Sequence, residues 1–203
     1  MANRTALYER HREAGARMVD FAGWDMPIDY GSQIAEHNAV RADAGMFDVS
    51  HMTQVDLEGA GAEPFLRLLC ANDVARAHDG QALYTCLLNE TAGVIDDGIV
   101  YRLGPERYRL VVNAATRDKD WAWIERHAAD FEVECTLRDD RAMIAVQGPN
   151  ARARVHAALP ALADGAAHLA RFYATGVDGT LIARTGYTGE DGYEVMLPAS
   201  DAG

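Results

Sequence analysis

The chain has 203 residues, of which 49% are hydrophobic and 25% are charged, and its formal net charge is −12. This length and composition predict a folded protein with a sizeable core, in one large or two small domains, and exclude a disordered chain. The negative charge argues against a protein that binds the nucleic-acid backbone, which requires clustered positive charge.

Lysine and cysteine usage excludes several further kinds of site. Lys119 is the only lysine, and it lies in a polar run, so neither a Schiff-base lysine nor a phosphate-loop lysine is expected. Cys70, Cys86 and Cys135 are far apart and form no Cys-x-x-Cys pair, which argues against a zinc ribbon or a disulfide framework and favours free thiols. The first residues lack an apolar signal core, and no apolar run reaches a membrane-spanning length, so we expect a cytoplasmic protein.

In chain order, the apolar periodicity and the turn residues predict both helices and strands. Helices are predicted over 5–14 with Thr5 as N-cap, 32–44, 61–70, 114–128 with Asn113 as N-cap, and after Gly148-Pro149. Strands are predicted over 18–24 before a loop at Pro27, and over 47–57, 82–88, 94–101, 108–112, 131–137, 142–147 and twice within 179–197. The elements do not alternate regularly, which predicts an α+β protein with mainly antiparallel sheets.

The stretch 94–101 carries two adjacent acids, Asp96 and Asp97, inside an otherwise apolar run. An unpaired carboxylate is costly in a buried strand, and successive strand residues point to opposite faces. One acid therefore faces solvent or a turn and the other faces a ligand, and alternation alone does not choose between them. An acidic pair at a frayed strand end is an equally good interpretation of these residues alone.

The five residues 89–93 between the two predicted strands indicate a hairpin. If Tyr84 lies opposite Asp97, a ring and a carboxylate flank one pocket, and Gly98 leaves room beside them. A slip of one residue instead pairs Tyr84 with Gly98 and turns Asp97 to the other face. Both registers remain open at this point.

Three other groups of residues are weighed against structural roles. The glycines of 185–192 do not have the spacing of a phosphate loop, so a tight turn is favoured, while Tyr187, Tyr193 and Glu194 are candidates to line a cavity for a neutral ligand. Ser50 and His51 are adjacent on a predicted strand and point apart, which argues against a nucleophile–base pair. His37, His51 and Asp48 lack the helical spacing typical of metal ligands, so we predict no metal site.

Six segments, in order, resemble the aminomethyltransferase (T-protein) family of the glycine cleavage system. They are 18–24 (MVDFAGW), 45–52 (GMFDVSHM), 93–97 (GVIDD), 112–114 (VNA), 147–149 (QGP) and 184–192 (RTGYTGEDG). Each segment is weak evidence alone, but six in the family's order along the whole chain are specific.

The resemblance implies a transferase that moves the methylene group of the aminomethyl-lipoyl arm of H-protein to tetrahydrofolate. Ammonia is released, and 5,10-methylenetetrahydrofolate is formed. The resemblance also assigns residues. Asp97 is the catalytic acid facing the folate, and Tyr84, Asp97, Tyr101, Asn113, Tyr187 and Glu194 line the folate site. No membrane or nucleic-acid partner is implied. An aspartate is a weak base at neutral pH, so orientation of the nucleophile and stabilisation of positive charge are its expected contributions.

The family's architecture implies a GcvT-like folate-binding fold with interleaved domains. Residues 1–50 and 138–203 are expected to form the first domain, around an inserted domain of residues 51–137. The chain is expected to end before the family's C-terminal barrel domain. Gly98 replaces a larger apolar residue of the family and is expected to loosen the pocket wall, and Ala92-Gly93 replaces a common Gly-Gly turn. The alternatives are a non-catalytic folate-binding module of the same superfamily, a domain that docks the lipoyl carrier, or an inactive fragment.

Overall fold

The structure is a computed structural model that describes residues 2–203. The α+β class with antiparallel sheets is confirmed, since the strands of the described residues all pair in antiparallel fashion. The helices are α1 (Tyr8–Glu13), α2 (Gln33–Ala42), α3 (Ala62–Leu69), α4 (Arg117–Ala128), α5 (Ala151–Ala158) and α6 (Pro160–Ala167). The strands are β1 (Arg17–Phe21), β2 (Trp24–Asp29), β3 (Gly45–Asp48), β4 (Thr53–Glu58), β5 (Ala82–Leu88), β6 (Val94–Gly104), β7 (Arg107–Val112), β8 (Glu134–Leu137), β9 (Arg141–Gln147), β10 (Ala174–Val177), β11 (Thr180–Ala183) and β12 (Gly192–Pro198).

The chain divides into two compact units. Unit 1 contains the residues up to His51 together with Asp140–Gly203, and unit 2 is the continuous segment Met52–Asp139. These bounds differ by one or two residues from the domain bounds expected above. That the two units are separate folding domains stays a prediction.

Unit 2 is a five-stranded sheet in the order β5-β6-β7-β4-β8. Its core contains Val55, Leu57, Val100 and Leu110 from the strands, packed with Phe65 of α3 and Ile124 of α4. Because strand residues alternate between faces, this packing places α3 and α4 on one face of the sheet. We call the opposite face of this sheet the site face.

Unit 1 contains a five-stranded sheet in the order β10-β11-β12-β9-β3 and the separate hairpin β1-β2. Helices α5 and α6 contribute Val155 and Leu162 to a core shared with Tyr193 and Val195 of β12. Glu194 lies between these two core residues, so its side chain starts from the other face of the sheet.

Two local predictions in the first quarter of the chain are wrong. Thr5 does not cap α1, whose N-cap is Leu7 without a side-chain cap bond; the Thr5 hydroxyl instead donates to Asp48 Oδ2 at 2.6 Å. The predicted strand 47–57 is two strands in different sheets. It breaks after Asp48, whose Oδ1 accepts the Ser50 N–H at 2.9 Å in a local turn.

Other differences are local. Pro27 lies within β2, whose one partner strand among the described residues is β1, and a missing N–H is tolerated there. Strand β10 and helix α6 have no counterpart among the predicted elements. Within the described residues, no helix is both long and apolar enough to cross a membrane.

Candidate functional site

The hairpin β5-β6 positions the candidate site in a register that matches neither alternative. Tyr84 pairs with Ile99, and Asp97 pairs with Cys86. Because Ile99 and Asp97 are two residues apart, Tyr84 still shares a face with Asp97 and reaches it diagonally. The Tyr84 hydroxyl donates to Asp97 Oδ2 at 2.7 Å.

The two adjacent acids lie on opposite faces of β6. Asp96 starts from the same face as the core residue Val100, whereas Asp97 belongs to the site face. Both carboxylates nevertheless contact one side chain at the end of β7. Asn113 Nδ2 lies 2.9 Å from Asp96 Oδ1 and 3.2 Å from Asp97 Oδ1.

Asn113 therefore does not act as the predicted helix cap. A 3-10 turn and then α4 follow it, and its side chain makes no cap bond. Its amide also lies 3.2 Å from Asp97 O, so its two N–H protons are shared among three acceptors. Because the carboxylates of Asp96 and Asp97 hold the NH2 group of this amide, the side chain is not oriented to cap the helix.

Asp96 is held by a dense set of donors. The Thr116 hydroxyl donates to Asp96 Oδ2 at 2.7 Å, and Asn113 binds the other oxygen. Partial burial raises the pKa of Asp96, but hydrogen bonds from Asp120, Thr116 and Asn113 outweigh it and lower this pKa to about 2. Asp96 is an anion at neutral pH.

Asp120 of α4 is the buried partner of this anion. Its side chain is 0% exposed, and burial, followed by the hydrogen bond and charge of Asp96, raises the pKa of Asp120 to about 7. Neither oxygen of Asp120 has a hydrogen-bond donor within the described part of the chain, and the nearby Thr116 hydroxyl, which donates to Asp96, lowers the pKa of Asp120 less than burial raises it. A proton on Asp120 removes the charge and supplies a donor toward Asp96.

The remaining residues of unit 2 that the sequence singled out are Tyr101 and Gly98. Tyr101 shares the site face with Asp97, two positions beyond Ile99, and is fully buried. Gly98 does not form a pocket wall beside Asp97, because it starts from the opposite face. A Cβ on Gly98 would lie 2.6 Å from Val111 O and 3.1 Å from Val112 Cγ1. The expected loosening of the wall by Gly98 is therefore wrong.

Tyr187 and Glu194 belong to unit 1. Tyr187 is fully exposed in the loop between β11 and β12. Glu194 is buried and accepts a short hydrogen bond from the Thr185 hydroxyl. Each unit thus carries part of the predicted folate-lining set.

Ser50 and Asp48, weighed above as nucleophile and metal ligand, have structural partners, whereas His51 Nδ1 is buried without a hydrogen-bond partner among the described residues. The Ser50 hydroxyl donates to Met143 O at 3.3 Å and accepts the Met143 N–H at 3.0 Å. Asp48 Oδ2 lies 2.9 Å from His11 Nε2, and His11 Nδ1 lies 2.6 Å from the Tyr30 hydroxyl. Burial lowers the pKa of His51, which favours its neutral form.

Unit 1 also contains a cleft of about 320 Å³ that no sequence pattern indicated. It is lined by Ile28, Gln33, Glu36, His37, Val40, Arg41, Phe47 and Thr188. None of the predicted folate-lining residues belongs to this lining.

Sequence reasoning missed Thr116 and Asp120. A signal for Asp120 was present, since it lies four residues before the core residue Ile124 on α4 and therefore on the same helical stripe. A carboxylate on a buried stripe indicates a paired or protonated acid. For Thr116 the sequence holds no signal, because its bond to Asp96 spans 20 residues.

These observations define a class of protein: an α+β chain in which a continuous sheet unit is inserted into a discontinuous one and carries a hydrogen-bonded aspartate on its sheet. A family model described as the GCVT N-terminal domain matches residues 7–203. The chain belongs to this family.

Named relatives support the same assignment. The chain is 62% identical over 200 residues to an aminomethyltransferase of Bordetella parapertussis, covering 97% of this chain and 55% of that protein. It is 57% identical over 204 residues to an aminomethyltransferase of Nitrosococcus oceani, covering 100% of this chain and 55% of that one. The chain spans about half the length of these curated relatives.

A solved structure has the same fold. The crystal structure of glycine cleavage system aminomethyltransferase T from Bartonella henselae matches with a TM-score of 0.91 and 39% identity. The match covers 100% of this chain and 55% of that one.

Proposed function

We propose that this chain carries the folate side of an aminomethyltransferase of the glycine cleavage system. The observation that carries the proposal is the Asp97 carboxylate, whose two oxygens are held by the Tyr84 hydroxyl at 2.7 Å and the Asn113 amide at 3.2 Å. Family membership and the named relatives give the reaction type. The substrates are tetrahydrofolate and the aminomethylated lipoyl arm of H-protein.

The reaction requires the breaking of two bonds to the methylene carbon. The C–N bond to ammonia and the C–S bond to the lipoyl arm break, and two C–N bonds to the folate nitrogens form. The two folate N–H protons are transferred to the departing ammonia and to the lipoyl sulfur. Positive charge develops on the methylene carbon while the folate nitrogen attacks.

Asp97 suits this step because its hydrogen-bond donors hold the carboxylate in one orientation. A preoriented carboxylate stabilises developing positive charge without reorganising when the reaction occurs. It also accepts a hydrogen bond from a folate N–H and so orients the nucleophile. Its two protein donors leave lone pairs for this purpose, since a carboxylate accepts about four hydrogen bonds.

Tyr101 in unit 2, and Tyr187 and Glu194 in unit 1, are the other residues that we propose to contact folate. Glu194 is a carboxyl acceptor suited to the donor N–H groups of the pterin ring. Its short bond with Thr185 fixes the carboxyl in the sheet. Tyr101 offers a buried ring and Tyr187 an exposed one.

The test compares the two adjacent acids. Asp97→Asn keeps the shape but removes the charge, and we expect turnover with tetrahydrofolate and aminomethylated H-protein to fall about a hundredfold. Asp96→Asn is expected to lower turnover about tenfold, since its side chain acts through Asn113. The exposed Asp118→Asn of α4 is the matched control and keeps wild-type turnover. Equal losses in the Asp96 and Asp97 variants would refute the assignment.

Fluorescence titration with tetrahydrofolate, followed by an ammonia-release assay with aminomethylated H-protein, separates the alternatives. Binding together with ammonia release supports the transferase. Binding without ammonia release favours a non-catalytic folate-binding module. The absence of both binding and ammonia release favours a docking domain or an inactive fragment. The titration is performed with the chain itself and repeated with Asp97→Asn.

A further inference from the structure

We propose that Asp120 and Asp96 form a carboxyl–carboxylate pair that shares one proton, and that this pair positions the Asn113 amide against the Asp97 carboxylate. That Asp97 is the catalytic carboxylate rests on the proposed function, whereas the pair itself does not. Asp96 and Asp120 are positioning residues in this proposal, because they act on the reaction only through Asn113.

The first argument is the environment of Asp120. Its carboxyl group is completely buried in the helix-covered half of unit 2. The nearest cation, Lys119 Nζ, lies 3.8 Å from Asp120 Oδ1, beyond hydrogen-bond distance, and is half exposed. A buried carboxylate without donors costs several kcal/mol, so the group takes up a proton instead.

The second argument is that Asp96 is the acceptor for that proton's hydrogen bond. The two carboxyl groups interact, since Asp120 lowers the pKa of Asp96 and Asp96 raises the pKa of Asp120. Two neighbouring ionised carboxylates would repel, whereas a protonated and an ionised carboxyl group attract through a charge-assisted hydrogen bond. Within the described residues, the titratable groups that interact with Asp120 are Asp96 on β6 and Lys119 on its own helix.

The third argument is the orientation of Asn113. An anionic Asp96 accepts hydrogen bonds only, so the NH2 end of Asn113 must face it, as Nδ2 does at 2.9 Å. The same NH2 group lies 3.2 Å from Asp97 Oδ1. If Asp96 carried the proton, it would attract the amide oxygen, and Asp97 would face that oxygen instead of a donor.

Thr116 connects Asp96 and Asn113 by hydrogen bonds. Its hydroxyl lies 2.7 Å from Asp96 Oδ2 and 3.2 Å from Asn113 O, and the Asn113 backbone N–H lies 3.4 Å from Asp96 Oδ2. The backbone and the side chain of Asn113 are thus tied to the same carboxylate. Loss of the shared proton places a second negative charge beside Asp96 and thereby disturbs the carboxylate that holds Asn113.

The test follows the side-chain amide of Asn113 by 15N NMR between pH 5.5 and 8.5, in the 203-residue chain. In the wild type we expect this resonance to shift with a midpoint near pH 7, where Asp120 loses its proton. Asp120→Asn, whose amide donates to Asp96 at every pH, is expected to abolish this shift and to keep the resonance at its low-pH position. Asp120→Ala is expected to displace the resonance at every pH, and Asp118→Asn on the same helix titrates like the wild type.

An Asn113 resonance that does not respond in the wild type overturns the proposal, as does a titration that survives in Asp120→Asn. Should the Asp120 variants fail to fold, 13C-carboxyl NMR of the wild type decides. A carboxyl group that titrates together with the Asn113 amide supports the pair, and the absence of any such group refutes it.

Turnover gives a separate readout. We expect the wild-type kcat to fall above neutral pH while the KM for tetrahydrofolate is unchanged, and Asp120→Asn to remove the alkaline fall. Asp120→Ala is expected to lower kcat about tenfold. An alkaline fall in kcat that persists in Asp120→Asn counts against the positioning role. A protein that shows the NMR coupling but neither binds folate nor releases ammonia refutes the proposed function and leaves the pair standing.

Discussion

Asp96 and Asp97 differ by one position in the chain and have opposite environments. Asp97 accepts hydrogen bonds on the site face from Tyr84 and Asn113, while Asp96 lies toward the helices against Thr116 and Asp120. Strand alternation separates the two acids, and the Asn113 amide connects them again at the strand end. A pair of acids that is costly in isolation becomes a connected polar network in which donors satisfy both carboxylates.

Tyr84→Phe tests the donor on the other oxygen of Asp97. This substitution removes the 2.7 Å bond to Oδ2 and keeps the ring. A bond to a charged group contributes about 1.5–3 kcal/mol when buried, and because Tyr84 is 54% exposed we expect less than this range, about a three- to tenfold loss of kcat/KM. Steady-state kinetics with tetrahydrofolate measures the loss.

The matched control for this substitution is Tyr8→Phe in unit 1, where the ring packs with Arg4 and the hydroxyl is not part of the proposed site. It should leave kcat/KM at the wild-type value. A Tyr84→Phe protein as active as this control would show that the Tyr84 hydroxyl does not orient Asp97.

At the scale of elements, strand β6 shows how one strand serves both the core and the site. Asp97 and Tyr101 lie on the site face, whereas Gly98 and Val100 start from the face that packs against the helices. Gly98 is closely covered by Val111 O and by the Val112 side chain. Glycine at this position allows β6 and β7 to approach closely beside the acid pair.

Gly98→Ala is expected to destabilise unit 2. The added Cβ would lie 2.6 Å from a backbone oxygen of β7, which forces the two strands apart at a cost of about 1–3 kcal/mol. Chemical denaturation followed by circular dichroism measures the free energy of unfolding.

Gly104→Ala at the end of the same strand is the control, because a Cβ there has no neighbour within 4 Å. Its free energy of unfolding should stay within about 0.5 kcal/mol of the wild type. A Gly98→Ala protein as stable as Gly104→Ala would mean that β7 adjusts without cost.

At the scale of the whole molecule, the ends of unit 2 explain how it can be inserted into unit 1. Strands β4 and β8 are its first and last strands and pair directly, and the Arg138 N–H donates to Gln54 O at 2.9 Å. In unit 1, β3 and β9 flank the insertion and also pair. In each unit, the two strands next to the points where the chain passes from one unit to the other therefore pair with each other.

We expect the continuous segment 52–139 to fold when it is expressed alone. It has its own core and a complete five-stranded sheet, and its two ends lie on adjacent strands. Dispersed amide NMR signals and a cooperative thermal transition would support this expectation.

A segment truncated at residue 128, without β8, is the control. It leaves the edge of β4 unpaired and removes Cys135 and Leu137 from the core, so it should lose the cooperative transition. If the complete segment 52–139 also unfolds without cooperativity, the inserted unit is not an independent domain.

The sequence by itself determined the α+β class, the hairpin of β5 and β6, and the separation of Asp96 from Asp97, because each depends on the local period of side chains along a strand. The register of Tyr84, the use of Asn113 as a bridge instead of a cap, and the pairing of Asp96 with Asp120 were decided only by the tertiary structure. The bond of Tyr84 to Asp97 spans 13 residues and that of Asn113 to Asp96 spans 17. Such contacts form where two strands and a helix converge. Whether the amide binds a carboxylate or caps the helix depends on which group is closer in the folded chain, and no local sequence pattern encodes that distance.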